Sequence, residues 1–435
     1  MTPQPSLPLL TAPADGTLPR GPLAAVGRYA WWVVLLLWPV AMLNYLDRQL
    51  MASMKFSITH DVPGIGSEQN WGTLLATFKW VYAGLSPLGG YLADRFSRKW
   101  VIVVSLAVWS AVTLLTGHAH TYHGLLLARA LMGVSEACYV PAALALLSDF
   151  HAGRTRSRAV GIHQTAIPVG VIVGGFSGYM ADAPDLGWRA AFYIAGGAGI
   201  AYVLPLVLLL RDSPRAASED GARRSPLWAS ARELLTNVSF LLLVLYFTLP
   251  ALAGWVVRDW MPAILKHQFN LGQGVAGVSA TLYVNAATVV GMVLGGVLAD
   301  RWMRWTVRGR IYVSAIGTAL LIPSLFGVGD ASTLIVAIAF LAVFGLGWGL
   351  FDCNSMPILC QVVRPRQRAT AYGVMNLVSI SCGGFADRGF GTLRDNGVAL
   401  NAIFAAFAGL CVLSVALVLM IRPRGDSVEA VPAAH

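Results

Sequence analysis

Gly89-Gly-Tyr-Leu-Ala-Asp-Arg95 returns almost unchanged as Gly295-Gly-Val-Leu-Ala-Asp-Arg301, 206 positions later in a chain of 435 residues. Each copy closes an apolar stretch and opens a basic loop. A second pair of blocks repeats at nearly the same offset. Arg154-Thr-Arg156-Ser-Arg158-Ala159 is matched by Arg364-Pro-Arg366-Gln-Arg368-Ala369. Two independent blocks at nearly one offset imply that the chain is two copies of one helical bundle, a plan found in membrane proteins with internal repeats.

Composition agrees with that plan. Hydrophobic residues make up 56% of the chain and charged residues 12%, where a soluble domain carries roughly 25% charged. Apolar runs long enough to cross ~30 Å of hydrocarbon recur along the whole length. Twelve spans are predicted, near 30–52, 69–91, 100–117, 121–147, 158–181, 189–210, 237–257, 273–299, 311–328, 331–356, 367–389 and 397–421. The fold class is therefore an all-α membrane protein of two pseudo-symmetric six-helix bundles. The divisions are a tail at 1–29, a bundle at 30–210, a polar linker at 211–236, a second bundle at 237–421 and a tail at 422–435. The proline-rich start has no continuous apolar core before Trp31 and reads as a tail, not a signal peptide.

With both termini cytoplasmic, the inner loops and tails hold 22 of the 31 Lys and Arg residues. The outer loops then hold Lys55, Arg189, Arg258, Lys266, Arg388 and Arg394. Basic residues are retained on the cytoplasmic side, so a multi-pass cell or inner-membrane protein is expected in this orientation. The net charge of +10 then reflects loops facing an anionic leaflet of the lipid bilayer, and no nucleic acid partner is implied. The five cysteines fall in or beside apolar runs and read as packing residues, not disulfides or a metal site. No cofactor is expected, and the chain is expected to act as a monomer.

The loop motif Gly90-Tyr-Leu-Ala-Asp94-Arg95-Phe-Ser-Arg98-Lys99 resembles the signature of the major facilitator superfamily. The second copy, Gly296 to Arg301 with Arg308 and Arg310, is a looser match. The resemblance covers all twelve spans. Two groups within the superfamily look nearest. Tyr45-Leu-Asp47-Arg48 and Arg129-x6-Glu136 resemble the anion:cation symporters, which move sugar acids and other organic anions with protons. Asn44-Tyr-Leu-Asp47-Arg48 and Gly133-Val-Ser-Glu136-Ala-Cys-Tyr139 resemble the Spinster-like lipid transporters. These motifs do not separate the two groups. The resemblance implies that Asp94 latches onto a helix start in the opposite half and that Arg95 and Arg98 meet acidic loop partners. Asp300 and Arg301 would form the second latch.

Ionisable residues at membrane depth cost ~2.5–3.5 kcal/mol on insertion scales and are functional candidates by default. The sequence places Asp47 and Arg48 in span 1, Lys79 in span 2, and Arg129 and Glu136 in span 4, with no equivalent cluster in the second half. Arg129 and Glu136 are seven residues apart, so they share a helix face with ~10 Å of rise between them. Three cations against two carboxylates leave an excess positive charge that a small anionic substrate would neutralise. Glu136 and Asp47 are the proton-coupling candidates, because a neighbouring cation opposes a buried carboxylate's preference for its proton. Arg48, Lys79 and Arg129 are the substrate-binding candidates. Lys79 departs from the organic-anion symporter pattern, where an uncharged residue is expected.

Further substrate-contact candidates are Tyr45, His163, Gln164, Tyr283, Asn285 and Asn376. Asp352 reads as a gate residue, and Tyr246, Phe247 and Trp255 as either an outer aromatic gate or interfacial belt residues. No nucleophile–base arrangement, phosphate loop or metal spacing points to an enzyme. The expected function is proton symport of a small organic anion, such as a hexuronate or aldonate, by alternating access. A lysolipid or sphingolipid carrier is the alternative, and a non-transporting membrane sensor a more remote one.

Overall fold

The computed structural model describes residues 22–151, 155–212, 233–364 and 367–423. Most of the two tails and of the linker lies outside the described residues, as do Arg154 and Arg366. All regular structure among the described residues is helical. Six long helices form the first half: α1 (Pro22–Ser53), α2 (Glu68–Arg95), α3 (Arg98–Gly117), α4 (Tyr122–Phe150), α5 (Arg156–Asp182) and α6 (Gly187–Leu209). Another six form the second: α7 (Val238–Phe269), α8 (Gln273–Trp302), α9 (Gly309–Gly329), α10 (Leu334–Val362), α11 (Arg368–Asp395) and α12 (Leu400–Met420).

Local chemistry sets several of these boundaries. Ser67, Ser97, Thr121, Asn237 and Thr333 each stand before a helix and accept a bond from a first-turn backbone N–H, satisfying a donor that the helix cannot. Two long helices are interrupted. The α4 helix breaks at Ala137–Cys138, directly after Glu136. The α5 helix breaks at Thr165 and again at Phe176.

Ten of the twelve helices are long and apolar enough to cross a membrane. The exceptions are α2 and α11, which are long enough but carry more polar residues. They pack against each other across the boundary between the halves, Trp80 Nε1 donating to Ser381 O at 3.2 Å. Each can be less apolar because the other covers it.

One sequence expectation fails here. Span 7 does not end at 257, and α7 continues to Phe269. The apolar run resumes as Trp260-Met-Pro-Ala-Ile-Leu265, and Pro262 is accommodated inside the helix. Arg258 and Asp259 are therefore helical residues, not loop residues. Arg388 and Arg394 likewise belong to α11.

The core divides in an informative way. One apolar cluster (Leu37, Trp109, Leu146) lies inside the first half, and another (Phe240, Phe351, Ile358) inside the second. A third cluster joins Met54, Trp71 and Trp188 of the first half to Trp260, Phe390 and Phe404 of the second. It sits at the end of the molecule away from the helix ends that carry the termini. We call this the distal end, and the other the termini end. The halves are thus sealed at the distal end, and their cores are separate at the termini end.

A buried charge network between the halves

The first-half candidates converge where α1, α2 and α4 meet. Arg48 Nε donates to Glu136 Oε2 at 2.7 Å. Its guanidinium lies over the rings of Tyr45, Phe78 and Tyr82 at 4.7, 4.8 and 5.0 Å. Guanidinium–ring contacts of this kind contribute more when desolvated. Glu136 is fully buried, and its Oε1 has no hydrogen-bond partner among the described residues. Asp47 accepts from Thr113 Oγ1 at 3.1 Å, and its Oδ1 is likewise without a partner.

Arg129 is buried but does not pair with Glu136. It reaches Leu74 O at 3.4 Å and lies over Phe78 at 4.8 Å. The sharing of one face did not imply a bond, because ~10 Å of helical rise separates the two positions. The pairing cation comes from α1 instead.

The largest departure from the sequence reading concerns Lys79. It is not free for substrate. Lys79 Nζ donates to Asp259 Oδ2 of α7 at 2.5 Å and to Asp387 Oδ2 of α11, and it sits 4.3 Å from the ring of Trp255. Both aspartates belong to the second half, so the expectation that the second half has no charge cluster is overturned. Arg258 adds a fourth cation, over Tyr45 at 5.1 Å and Trp255 at 5.6 Å, with Nη2 unpartnered. Arg48, Lys79, Arg129 and Arg258 now face Asp47, Glu136, Asp259 and Asp387. The predicted excess of positive charge is absent because two carboxylates were missed. The signal that could have found them was the resumed apolar run after Asp259 and the continuation of α11 for eight residues past Asp387.

This is a charge-bearing seam between two six-helix halves. The sequence model of the Major Facilitator Superfamily matches residues 26–386. The chain belongs to that superfamily. It is 30% identical over 376 residues to protein spinster homolog 1 of Xenopus tropicalis, covering 81% of this chain and 70% of that one. An MFS-type efflux pump of Mycolicibacterium smegmatis is 29% identical over 377 residues, covering 85% of each chain. Among solved structures, a bacterial homologue of the human lysosomal transporter spinster, inward-facing and occupied, matches with a TM-score of 0.77. That match has 21% identity and covers 93% of this chain and 99% of that one. The superfamily and these relatives make the chain a membrane transporter.

Among the described residues, the arginines of the superfamily's loop signature bond within their own half. Arg98 pairs with Asp149, an acidic residue at the end of α4 in its own half. Arg95 Nη1 donates to Tyr91 Oη at 2.7 Å. The side chain of Asp94 lies outside the described residues. In the second copy, Asp300 accepts from Arg310 Nη2 at 2.7 Å within its own half, and Arg301 lies over Trp305 at 5.8 Å.

The remaining candidates divide by environment. His163 is buried against Tyr139 Oη at 3.0 Å, and Tyr139 in turn donates to Leu37 O at 3.1 Å. The ring packs inside the first-half core, with its Nδ1 unpartnered among the described residues. Tyr246 is bonded to Ser314 inside the second-half core and is not part of an outer gate. Gln164 and Tyr283 are exposed. Asn285 and Asn376 donate to backbone carbonyls one turn back, Thr281 O at 2.7 Å and Tyr372 O at 3.1 Å. Asp352 is half-buried on α10 and makes no ion pair among the described residues.

Proposed function

We propose that this superfamily member is a proton-coupled transporter of a lipid-class amphiphile whose headgroup is zwitterionic or neutral overall. One observation carries the choice between substrate classes: four cations, Lys79 and Arg129 buried and Arg48 and Arg258 partly buried, meet four buried carboxylates between the halves. A site in balance does not call for a net anion, and burying an uncompensated charge is costly. The excess of cations that favoured a sugar acid is removed by Asp259 and Asp387, and Asn285 and Asn376 spend their amides on backbone carbonyls. The similarity to spinster proteins, and the runs Asn44–Arg48 and Gly133–Tyr139, support the same direction.

Coupling is assigned to the Arg48–Glu136 pair. A proton delivered to Glu136 neutralises the carboxylate that holds Arg48. The released guanidinium, framed by Tyr45 and Tyr82, then takes an acceptor on the substrate headgroup. Arg258, with an unpartnered nitrogen beside Tyr45, is the second grip. Asp47, beside Arg48 on α1, is the second proton-carrying group. With the basic termini end placed in the cytoplasm, the distal seal closes the outer side. The expected location is a cell or inner membrane, and the working unit a monomer.

The deciding experiment is a ligand competition in proteoliposomes with an imposed pH gradient. A zwitterionic lysophospholipid should bind and be moved, and glucuronate should not compete. Saturable uptake of glucuronate with no lysophospholipid binding would overturn the proposal in favour of the sugar-acid reading. Binding without movement of either would favour the sensor.

A further inference from the structure

The distal seal contains a duplicated device. Asp182 is the last residue of α5, in the first half, and Asp395 is the last residue of α11, in the second. Asp395 accepts from the backbone N–H groups of Glu68 and Gln69 at 2.9 and 2.8 Å, the first two residues of α2 in the opposite half. Asp182 accepts from Gly274 N at 2.9 Å and from Gln273 Nε2 at 3.2 Å, at the start of α8 in the opposite half. Each carboxylate therefore caps a helix N-terminus across the boundary.

The two contacts are copies of one another. Gly178-Tyr-Met-Ala-Asp182 corresponds to Gly391-Thr-Leu-Arg-Asp395, and Gln273 and Gly274 to Glu68 and Gln69. The glycines are part of the device. A Cβ at Gly178 would collide with Gln273 O, and one at Gly391 with Glu68 O. Their absence lets the helix ends approach closely enough for the aspartates to reach.

Neither aspartate serves its own helix. A carboxylate at a helix C-terminus opposes that helix's dipole, whereas one at an N-terminus is favourable. The gain comes only from the partner helix in the other half. For α8 the contact is also complementary, because Gly272 at its start supplies no side-chain cap. On α2, Ser67 already takes the N–H of Asn70, and Asp395 takes two of the donors that remain.

We propose that Asp182 and Asp395 are paired distal latches, which hold this end of the transporter shut and release when it opens. They mirror the latch expected of Asp94 and Asp300 at the termini end, where Asp300 is instead engaged within its own half. The chain then carries four latch aspartates, two on α2 and α8 and two on α5 and α11. One set is made while the other is broken.

The test reads conformation, so it does not depend on the substrate. Spin labels, introduced as non-natural amino acids at exposed His60 and Asn401 on opposite halves, report the distal distance by pulsed electron resonance. Asp182→Ala and Asp395→Ala should each raise the ratio of open to closed distal states about 2- to 5-fold. The double variant should show the product of the two, as expected for separate sites. Asp395→Glu should restore the closed population. If either alanine variant folds poorly, Asp182→Leu with Asp395→Leu removes the accepting oxygens with similar shape retained and gives the same readout. An unchanged distance distribution in a folded double variant overturns the proposal.

Discussion

Lys79 of α2 is bonded to Asp387 of α11 across the boundary between the halves, inside the one helix pair whose members are not apolar enough to count as simple spans. Asp259 of α7 joins the same ammonium. The polarity of α2 and α11 and their mutual packing are two sides of one arrangement: charge is tolerated at this depth because it is paired.

Lys79→Met should therefore be harmful for a specific reason. It strands two buried carboxylates, and breaking a buried pair by removing one partner costs about 3–5 kcal/mol. Thermal unfolding in detergent should show a marked loss. Adding Asp259→Asn and Asp387→Asn should recover much of it, since no uncompensated charge then remains. A Lys79→Met protein as stable as the parent would mean that the ammonium is not the keystone of this seam.

The coupling pair gives a second expectation. Glu136→Gln should still bind substrate but should no longer concentrate it in response to a pH gradient. Arg48→Lys should not rescue transport, because an ammonium cannot reproduce a guanidinium stacked among Tyr45, Phe78 and Tyr82 while bonded to a carboxylate. Uptake clearly below the parent is expected for Arg48→Lys. Gradient-driven accumulation by Glu136→Gln would remove Glu136 from the coupling role.

The fold was readable because duplication and hydropathy are properties of the sequence itself. The repeated Gly-Gly-x-Leu-Ala-Asp-Arg block and the recurring apolar runs needed no contacts to interpret. The site was readable only in its first half. Arg48, Lys79, Arg129 and Glu136 stand out as charges inside apolar runs. Asp259 stands next to Arg258 at what looks like a helix end, and Asp387 stands beside Arg388. Both read as boundary residues until α7 and α11 are extended. Partner choice was not legible either, since Arg48 and Glu136 are 88 residues apart. The Gly-x-x-x-Asp repeat at 178–182 and 391–395 was present in the sequence but too short to notice without knowing what it touches.

A pH-dependent contribution to stability is expected outside the membrane helices. Asp61 ends the short helix Lys55–Asp61. Partial burial works to raise its pKa, but bonds from Trp188 Nε1 at 3.0 Å and Arg189 Nη1 at 2.5 Å outweigh that and hold it below the ordinary 3.8. A carboxylate depressed in the folded state stabilises at pH values above its unfolded pKa. That contribution is lost as pH falls through the folded pKa. Asp61→Asn should therefore lower the melting temperature at neutral pH, and the difference from the parent should shrink as pH drops below 3.8. A difference that stays constant across that range would show that the charge is not its origin.

Close approach of α2 and α11 makes a final, steric prediction. Gly72 lies directly against the backbone of Asp387, so that a Cβ there would collide with the carbonyl. Gly84 is on the same helix and has nothing within 4 Å of its would-be Cβ. Gly72→Ala should oppose distal closure by about 1–3 kcal/mol, the usual range for overpacking, because backbone cannot move aside as a side-chain tip can. Gly84→Ala should leave closure unaffected and should slightly favour the helix, alanine being the better helix former. Labelling of a distal residue by a membrane-impermeant reagent distinguishes the two. Faster labelling in Gly72→Ala but not in Gly84→Ala is the expected pattern. Equal rates would mean that the α2–α11 contact does not control opening at this end.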